Sequence, residues 1–345
     1  MDYLRPCLPG RIRRALEELP ETLDGTYERT LEDIDETNWE YAHRIFQCIA
    51  VASRPFTVEE LAGILAFDFE AGEIPKLVTD WLLEDPDEAL LSTCSSLIAV
   101  VGDDGYRVIQ FSHFSVQEFL TSSRLAVGRS TISRYHVAMK PAHTVVARAC
   151  LGALLHLDEN VSEDTLKDIP LVKYAAEGWV YHAQFDNVSP SMQDGINLLF
   201  DPNKPYLTVW VWIFDPEDFT SPRPPHPLQP RGTPLHYAAL HGMCDVVRFL
   251  IVERSQGVTA RRPLDHRTSL FWAAESGHPE VTRTLLDYGA NENARDRDGR
   301  TPLHVASQGG HVEVVQMLLN HGADASARDN DHRTPLHSIS QREYR

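Results

Sequence analysis

"RTPLHVASQGGHVEVVQMLLNHGADASARD", residues 300–329, decides how the C-terminal third of the chain is read. Its companions are "RGTPLHYAALHGMCDVVRFLI" (231–251), "RTSLFWAAESGHPEVTRTLLDYGANENARD" (267–296) and "RTPLHSISQREYR" (333–345). They align on Thr233, Thr268, Thr301 and Thr334, at offsets of 35, 33 and 33 residues. A period of that size marks stacked units, each too small to bury its own apolar face. In the copy quoted first, Thr301-Pro302 sets a turn and opens a helix, with proline where no N–H is needed. Leu303, Ala306, Val314, Val315, Leu318 and Leu319 recur at helical spacing and are expected to bury against neighbouring copies. Gly322 is expected to end the second helix in a left-handed cap.

These copies resemble the ankyrin repeat, the third nearly throughout. The resemblance implies that His304 bonds backbone in the adjoining turn. It also implies a concave face that binds a protein partner, built from Tyr237, Leu240, His241, Trp272, Glu275, Val305 and Gln308, with Arg297 and Arg300 at a turn tip. Trp272 is the expected anchor, because a partly exposed tryptophan in a binding face is a typical hot spot; the competing reading packs Trp272 and Phe271 against the irregular first repeat. Two departures stand out. Repeat two has Ser269 for proline and Phe271 for histidine, and repeat four stops at Arg345 before a second helix. The apolar face of Leu318 and Leu319 is therefore expected to be partly uncovered. Nine histidines fall in 231–345, but they recur with the repeat and have no cysteine partners, so no metal site is expected.

Upstream, "FDPEDFTSPRPPHPLQP" (214–230) holds six prolines and no helical period. Residues 213–230 therefore read as a semi-rigid linker. Residues 133–212 read as an all-helical domain, with Val145, Ala149, Leu151 to Leu155, Tyr174, Ala175 and Trp179 at core spacing. Residues 37–126 switch period. "NWEYAHRIFQCIAV" is helical, and "FTVEEL" has Thr57 as N-cap, Glu60 three residues on, and a Phe56–Leu61 staple. A third helix follows through "DEALLSTCSSL", then strand, turn and strand in "LIAVV", "GDDG" and "YRVIQF". Three helices and a β-hairpin is the order of a winged helix. The expected fold is thus mainly α: a helical lead-in (1–36), a winged helix with one β-hairpin (37–126), a helical domain (133–212), the linker (213–230) and a repeat solenoid (231–345).

The stretch "FSHFSVQEFL" (111–120) places two serines, a histidine and a glutamate together. Ser115 and Glu118 have capping-box spacing, with Phe114 and Phe119 as a second staple. Residues this close on one helix start do not make a serine–histidine–acid relay, and no G-x-S-x-G elbow occurs. No catalytic residue and no cofactor are expected, and the chain reads as non-enzymatic.

The chain carries a formal charge of −18, all of it within residues 1–230; residues 231–345 balance. Residues 57–126 alone hold 13 acidic and 3 basic groups. Such a field repels phosphate backbones, so nucleic acid is not an expected partner and a DNA-binding winged helix is disfavoured. No apolar run approaches membrane-spanning length, so no membrane partner is expected. Five scattered cysteines without a C-x-x-C fit reduced thiols in a cytoplasmic protein.

"LPETLDGTYERTLEDI", "RPFTVEEL", "LLSTCSSLI", "FSHFSVQEFLTSSRLA" and "PLVKYAAEGWVYHA" resemble the region that follows the NACHT nucleotide-binding domain in fungal NOD-like receptors, proteins of the STAND type that often carry an ankyrin tail. The same winged-helix segment is also known after a GPI inositol-deacylase. The resemblance implies that His113 matches a histidine that contacts the phosphate of bound ADP. None of the five lysines follows a glycine, and no G-x-x-x-x-G-K-[ST] occurs, so this histidine is expected to be idle here. The leading expectation is a signalling scaffold that binds a protein, not a small-molecule substrate. The alternative is the regulatory part of a nucleotide-gated switch whose P-loop NTPase lies outside these residues.

Overall fold

The computed structural model describes residues 23–103, 106–128, 130–216 and 224–339. Residues 1–22 of the helical lead-in, the tip of the "GDDG" turn and the last six residues of repeat four lie outside the described residues. Two compact units emerge: residues 1–156 with 162–193, and residues 157–161 with 194–345.

The first unit begins with α1 (Leu23–Glu32) and α2 (Trp39–Val51), followed by strand β1 (Phe56–Thr57) and α3 (Val58–Leu65). A short antiparallel pair, β2 (Phe67–Asp68) and β3 (Lys76–Leu77), leads to α4 (Pro86–Cys94). The hairpin β4 (Ile98–Asp103) and β5 (Tyr106–Phe111) then enters α5 (Phe114–Leu120). The sheet order is β1-β5-β4, with Phe56 opposite Ile109 and Ile98 opposite Phe111. This is the winged-helix arrangement. Short helices α6 (Ser123–Ala126) and α7 (Ser130–Ser133) connect to α8 (Met139–His156), and α9 (Glu163–Lys167) to α10 (Val172–Gln184).

Local chemistry explains where these elements begin. Thr57 Oγ1 accepts the Glu60 N–H at 3.1 Å while Glu60 Oε2 accepts the Thr57 N–H at 2.9 Å, so two orphan donors of α3 are satisfied. Glu60 is buried, and a bare carboxylate there would be costly. Arg54 pays that charge back: it binds both Glu60 oxygens at 2.7 and 2.8 Å and Glu177 on α10 at 2.8 Å, over the Tyr174 ring. Phe56 stacks on Tyr174 at 3.9 Å, so strand, helix start and α10 share one core. Tyr174 and Trp179 are fully buried as expected, while on α8 Val146 rather than Val145 faces the core.

The second unit holds α11 (Gln193–Leu199, from Asp194 onward) and α12 (Tyr206–Ile213), then helix pairs α13 (Pro234–Leu240) and α14 (Cys244–Val252), α15 (Ser269–Ser276) and α16 (Pro279–Asp287), α17 (Pro302–Gly309) and α18 (Val312–Asn320), and a last helix α19 (Pro335–Ile339). The division therefore falls before the proline-rich stretch rather than within it. The reason is packing. Trp210 of α12 meets Tyr237 and His241 of the first repeat at 6.4 and 5.5 Å, Arg254 pairs with Asp201 at 3.0 Å, and the Trp212 indole donates to the Pro224 carbonyl at 2.7 Å. Residues 194–213 cover the first repeat as an N-terminal cap. At the other end Leu318 is fully buried and Leu319 is exposed, while Leu336 of α19 stands 75% exposed.

Each repeat turn needs one left-handed residue. It falls at His266, Gly299 and His332, with φ of 63°, 75° and 60°. A Cβ at Gly299 would sit 2.5 Å from Asn330 Oδ1 and 3.1 Å from the Asn330 backbone nitrogen. Gly299→Ala is therefore expected to destabilise the repeats by about 1–2 kcal/mol; a urea titration giving less than about 0.5 kcal/mol would show that this turn relaxes freely.

Candidate functional site

The cluster at residues 111–120 is a helix start, but not the one the capping-box spacing suggested. α5 begins at Phe114, and its N-cap is His113. His113 Nδ1 accepts the Ser115 N–H at 3.2 Å and meets Ser115 Oγ at 2.6 Å. Ser115 Oγ also lies 2.7 Å from the Tyr27 hydroxyl on α1. The imidazole caps the helix by taking the Ser115 N–H, and the Ser115 hydroxyl, instead of capping the Glu118 N–H, links His113 on one side to Tyr27 of α1 on the other. No Ser115–Glu118 box forms. The second staple fails as well: Phe119 is buried against Tyr27, but Phe114 is 68% exposed. His113 itself is exposed at the junction of hairpin and helix.

Histidines in the repeats are consumed in structure too. Thr233 donates through both N–H and hydroxyl to His236 Nδ1 at 3.2 and 2.8 Å, and His236 Nε2–H donates to the Arg267 carbonyl of the next repeat at 3.2 Å. Thr301, His304 and the Arg333 carbonyl repeat the pattern at 3.1, 2.9 and 3.1 Å. His304 thus reaches the turn of the adjoining repeat. A second set points the other way: His278 Nε2 bonds the Leu240 carbonyl and His311 Nε2 the Glu275 carbonyl, both at 2.9 Å. Because Nδ1 of His236 and His304 accepts an N–H, each ring must be neutral. Burial pushes His236 down to about 4, with His241 also near 4 and His278 and His304 lowered. Among the described residues no group of three metal-ligating side chains gathers.

The residues expected on the binding face separate into two sets. Tyr237 and Val305 are buried, at 0% and 2% exposure, and Leu240 and His241 are half-buried. Trp272 is 3% exposed and so is not the exposed anchor that was expected. Its ring is closed in by Tyr237 at 5.8 Å, His236 at 5.9 Å and the Arg262 guanidinium at 5.0 Å, and its indole N–H finds no acceptor among the described residues. Phe271 is buried in the position that histidine holds in the other repeats, and Trp272 packs against Tyr237 and His236 of the first repeat. The packing alternative is the one realised at this residue. Glu275 and Arg297 are exposed, and Arg300 and Gln308 are half-buried.

Arg300 and Gln308 come together in a small cleft of about 180 Å³ with Asp298, Asp329, Asp331 and Arg333. Around it runs a charged ridge that the sequence reading passed over. Asp-x-Arg occurs at 265–267, 298–300 and 331–333, at 33-residue spacing, which was the signal available. Asp296 Oδ1 accepts the N–H groups of Asp298 and Arg300 at 3.0 and 2.9 Å, and Asp329 Oδ1 those of Asp331 and Arg333 at 3.0 and 2.8 Å. Arg300 then bonds Asp296 and Asp298, and Arg267 bonds Glu275 at 2.8 Å. Burial would raise the Asp265 carboxyl, but donors on Arg262 and Arg267 outweigh it and hold the group below its ordinary value. Fixed carboxylates and guanidinium forks on rigid turns suit recognition of polar protein surface.

Comparison with known proteins agrees with this architecture. The GPI inositol-deacylase winged helix domain family matches residues 31–130. Ankyrin repeat families match residues 232–261, 270–319 and 310–343. Azaphilone pigments biosynthesis cluster protein L of Monascus ruber is 30% identical over 293 residues, covering 80% of this chain and 61% of that protein. The chain thus spans about three fifths of that relative's length. A fowlpox virus protein described as an ankyrin repeat protein is 42% identical over 65 residues, 19% of this chain and 43% of the viral protein. The chain therefore carries a winged helix of the GPI-inositol-deacylase type, a NACHT-associated kind, followed by ankyrin repeats, which in general mediate protein–protein interaction. Among the described residues no helix is long and apolar enough to cross a membrane.

The histidines set a pH dependence. In the first unit His182 lies between Tyr174 Oη at 2.8 Å and His143 at 3.0 Å, and burial drives it down to about 3. A histidine held below its unfolded value of about 6.5 adds its full stability above that pH and loses it as pH falls, by up to about 1.4 kcal/mol per pH unit each. Urea midpoints are expected to be flat from pH 8 to 7 and to drop progressively between pH 6 and 4. Midpoints unchanged down to pH 4.5 would mean that these rings are not held neutral.

Proposed function

We propose that the chain is a non-enzymatic protein-interaction module, related to the NACHT-ankyrin proteins of the NOD-like receptor type, that recognises a protein partner with its ankyrin turn tips. The observation that carries this is the ridge of Asp-x-Arg pairs at residues 265–267, 298–300 and 331–333, in which the arginine N–H groups are held by the carboxylates of Asp265, Asp296 and Asp329. Side chains ordered before binding lose little entropy on binding, which is what a recognition surface requires. Arg297 and Glu275, both exposed, and Gln308 in the adjoining cleft extend the same surface. Tyr237, Trp272 and Val305, by contrast, shape the stack from inside. A cytoplasmic location suits the scattered free thiols: Cys48, Cys94 and Cys150 are buried, and burial pushes the Cys48 thiol up to about 12.

A second reading rests on a different observation. His113 stands exposed where the winged-helix hairpin meets α5, and a ring in that place is free to face a nucleotide held by another domain. On this reading the first unit is the regulatory part of a nucleotide-gated switch, and the ankyrin unit senses the signal.

The leading proposal is tested on the full chain by affinity capture with Arg297→Glu combined with Arg333→Glu. Both side chains lie on turn tips, so the melting temperature is expected to stay within about 2 °C of the parent. Captured partners are expected to be lost. Undiminished capture by the double variant would remove the turn tips from the interaction.

A further inference from the structure

A cleft of about 690 Å³ opens within the second unit, walled by the loop before α12, the run into α13 and the loop that precedes α15. Its volume is that of a ligand site rather than a packing gap. Lys204 and Arg261 line it from two different walls, both are exposed, and neither makes an ion pair among the described residues. The one carboxylate of the lining, Asp201, is already taken. Burial would raise it, but the Asn203 N–H at 2.9 Å and Arg254 at 3.0 Å hold it below the ordinary carboxylate range. Arg262 forms part of the wall, yet Asp265 neutralises it through bonds of 3.0 and 2.6 Å. His236 is neutral for the reasons given above. The cleft is therefore cationic, in a chain whose formal charge is −18.

The rest of the lining adds shape. Leu207, Pro263 and Leu264 give apolar wall. Gln256 spends its carbonyl on the Leu235 N–H at 3.1 Å, which leaves its amide donors for an acceptor. A lone phosphate would fill little of this volume and could not use the apolar wall. A short anionic segment is held chiefly by charges within a Debye length of about 8–10 Å.

We propose that this cleft seats a short acidic peptide segment of a partner protein, its carboxylates on Lys204 and Arg261 and its backbone against Pro263 and Leu264. This rests on the protein-binding reading but uses a surface separate from the turn tips. The test is fluorescence anisotropy of an N-terminally labelled hexaglutamate peptide titrated into the full chain at low salt. Lys204→Glu with Arg261→Glu is expected to weaken binding at least tenfold at an unchanged melting temperature, while Arg297→Glu with Arg333→Glu leaves it unaltered. Equal binding by the parent and the Lys204/Arg261 variant, or no binding by the parent, would overturn the assignment. Displacement of the peptide by inorganic phosphate at matched concentration would overturn it too, in favour of a free-anion site. Because the two variant pairs read different surfaces, failure here leaves loss of captured partners by the turn-tip variant as the independent measure of the function proposed above.

Discussion

The stack depends on a neutral imidazole that accepts from its own helix start and donates to the next repeat. At His236 and His304 one ring nitrogen closes the threonine cap and the other bonds the carbonyl at Arg267 or Arg333. One side chain thus satisfies a helix terminus and sets the spacing between repeats at once. His278 and His311, on the other helix of the pair, instead reach back to the Leu240 and Glu275 carbonyls of the preceding repeat, and each packs so close to Gly242 or Gly277 that a Cβ there would meet the ring within 2.7 Å. A charged ring could not serve, because Nδ1 would then carry a proton toward a donor. Registry between repeats, and with it the alignment of the turn tips, follows from that single protonation state.

The first unit uses its chemically suggestive groups in the same manner. His113, Ser115 and Tyr27 form a chain of hydrogen bonds that fixes α5 to α1, and Arg54, Glu60 and Thr57 fix α3 to α10. In both places a nucleophile or an acid is occupied by a backbone or side-chain partner. At the surface of the second unit the turn tips present paired charges, and Lys204 and Arg261 line the cleft without an ion pair among the described residues. Such groups suit recognition of a charged or polar surface.

Much of this was legible in the sequence because it rests on local periodicity. The 33-residue spacing marked the repeats, and Thr57–Glu60 marked a real capping box, since both signals act within a few residues. The errors share a cause: they turn on partners distant in the chain. Ser115 has capping-box spacing, but Tyr27, 88 residues away, claims its hydroxyl. Trp272 looked like an exposed anchor, but Tyr237 and His236 of the preceding repeat, with Arg262, enclose it. The proline-rich run looked like a boundary, yet Trp210 packs on Tyr237 of the first repeat and Trp212 bonds Pro224 within the run itself. The Asp-x-Arg ridge was visible as a pattern, but its rigidity comes from Asp296 and Asp329, each of which caps a turn that begins in one repeat and ends in the next.

The account stands or falls on the state of the histidines, which nitrogen-detected NMR of the imidazole rings reads directly in the full chain. His236 and His304 are expected to show a protonated Nε2 and a bare Nδ1 at neutral pH, and His236 to remain so to about pH 5 as long as the chain stays folded. Rings that titrate near 6.5 with both tautomers populated would contradict it, because histidines free to take a proton in the folded chain are not what holds the repeats in register.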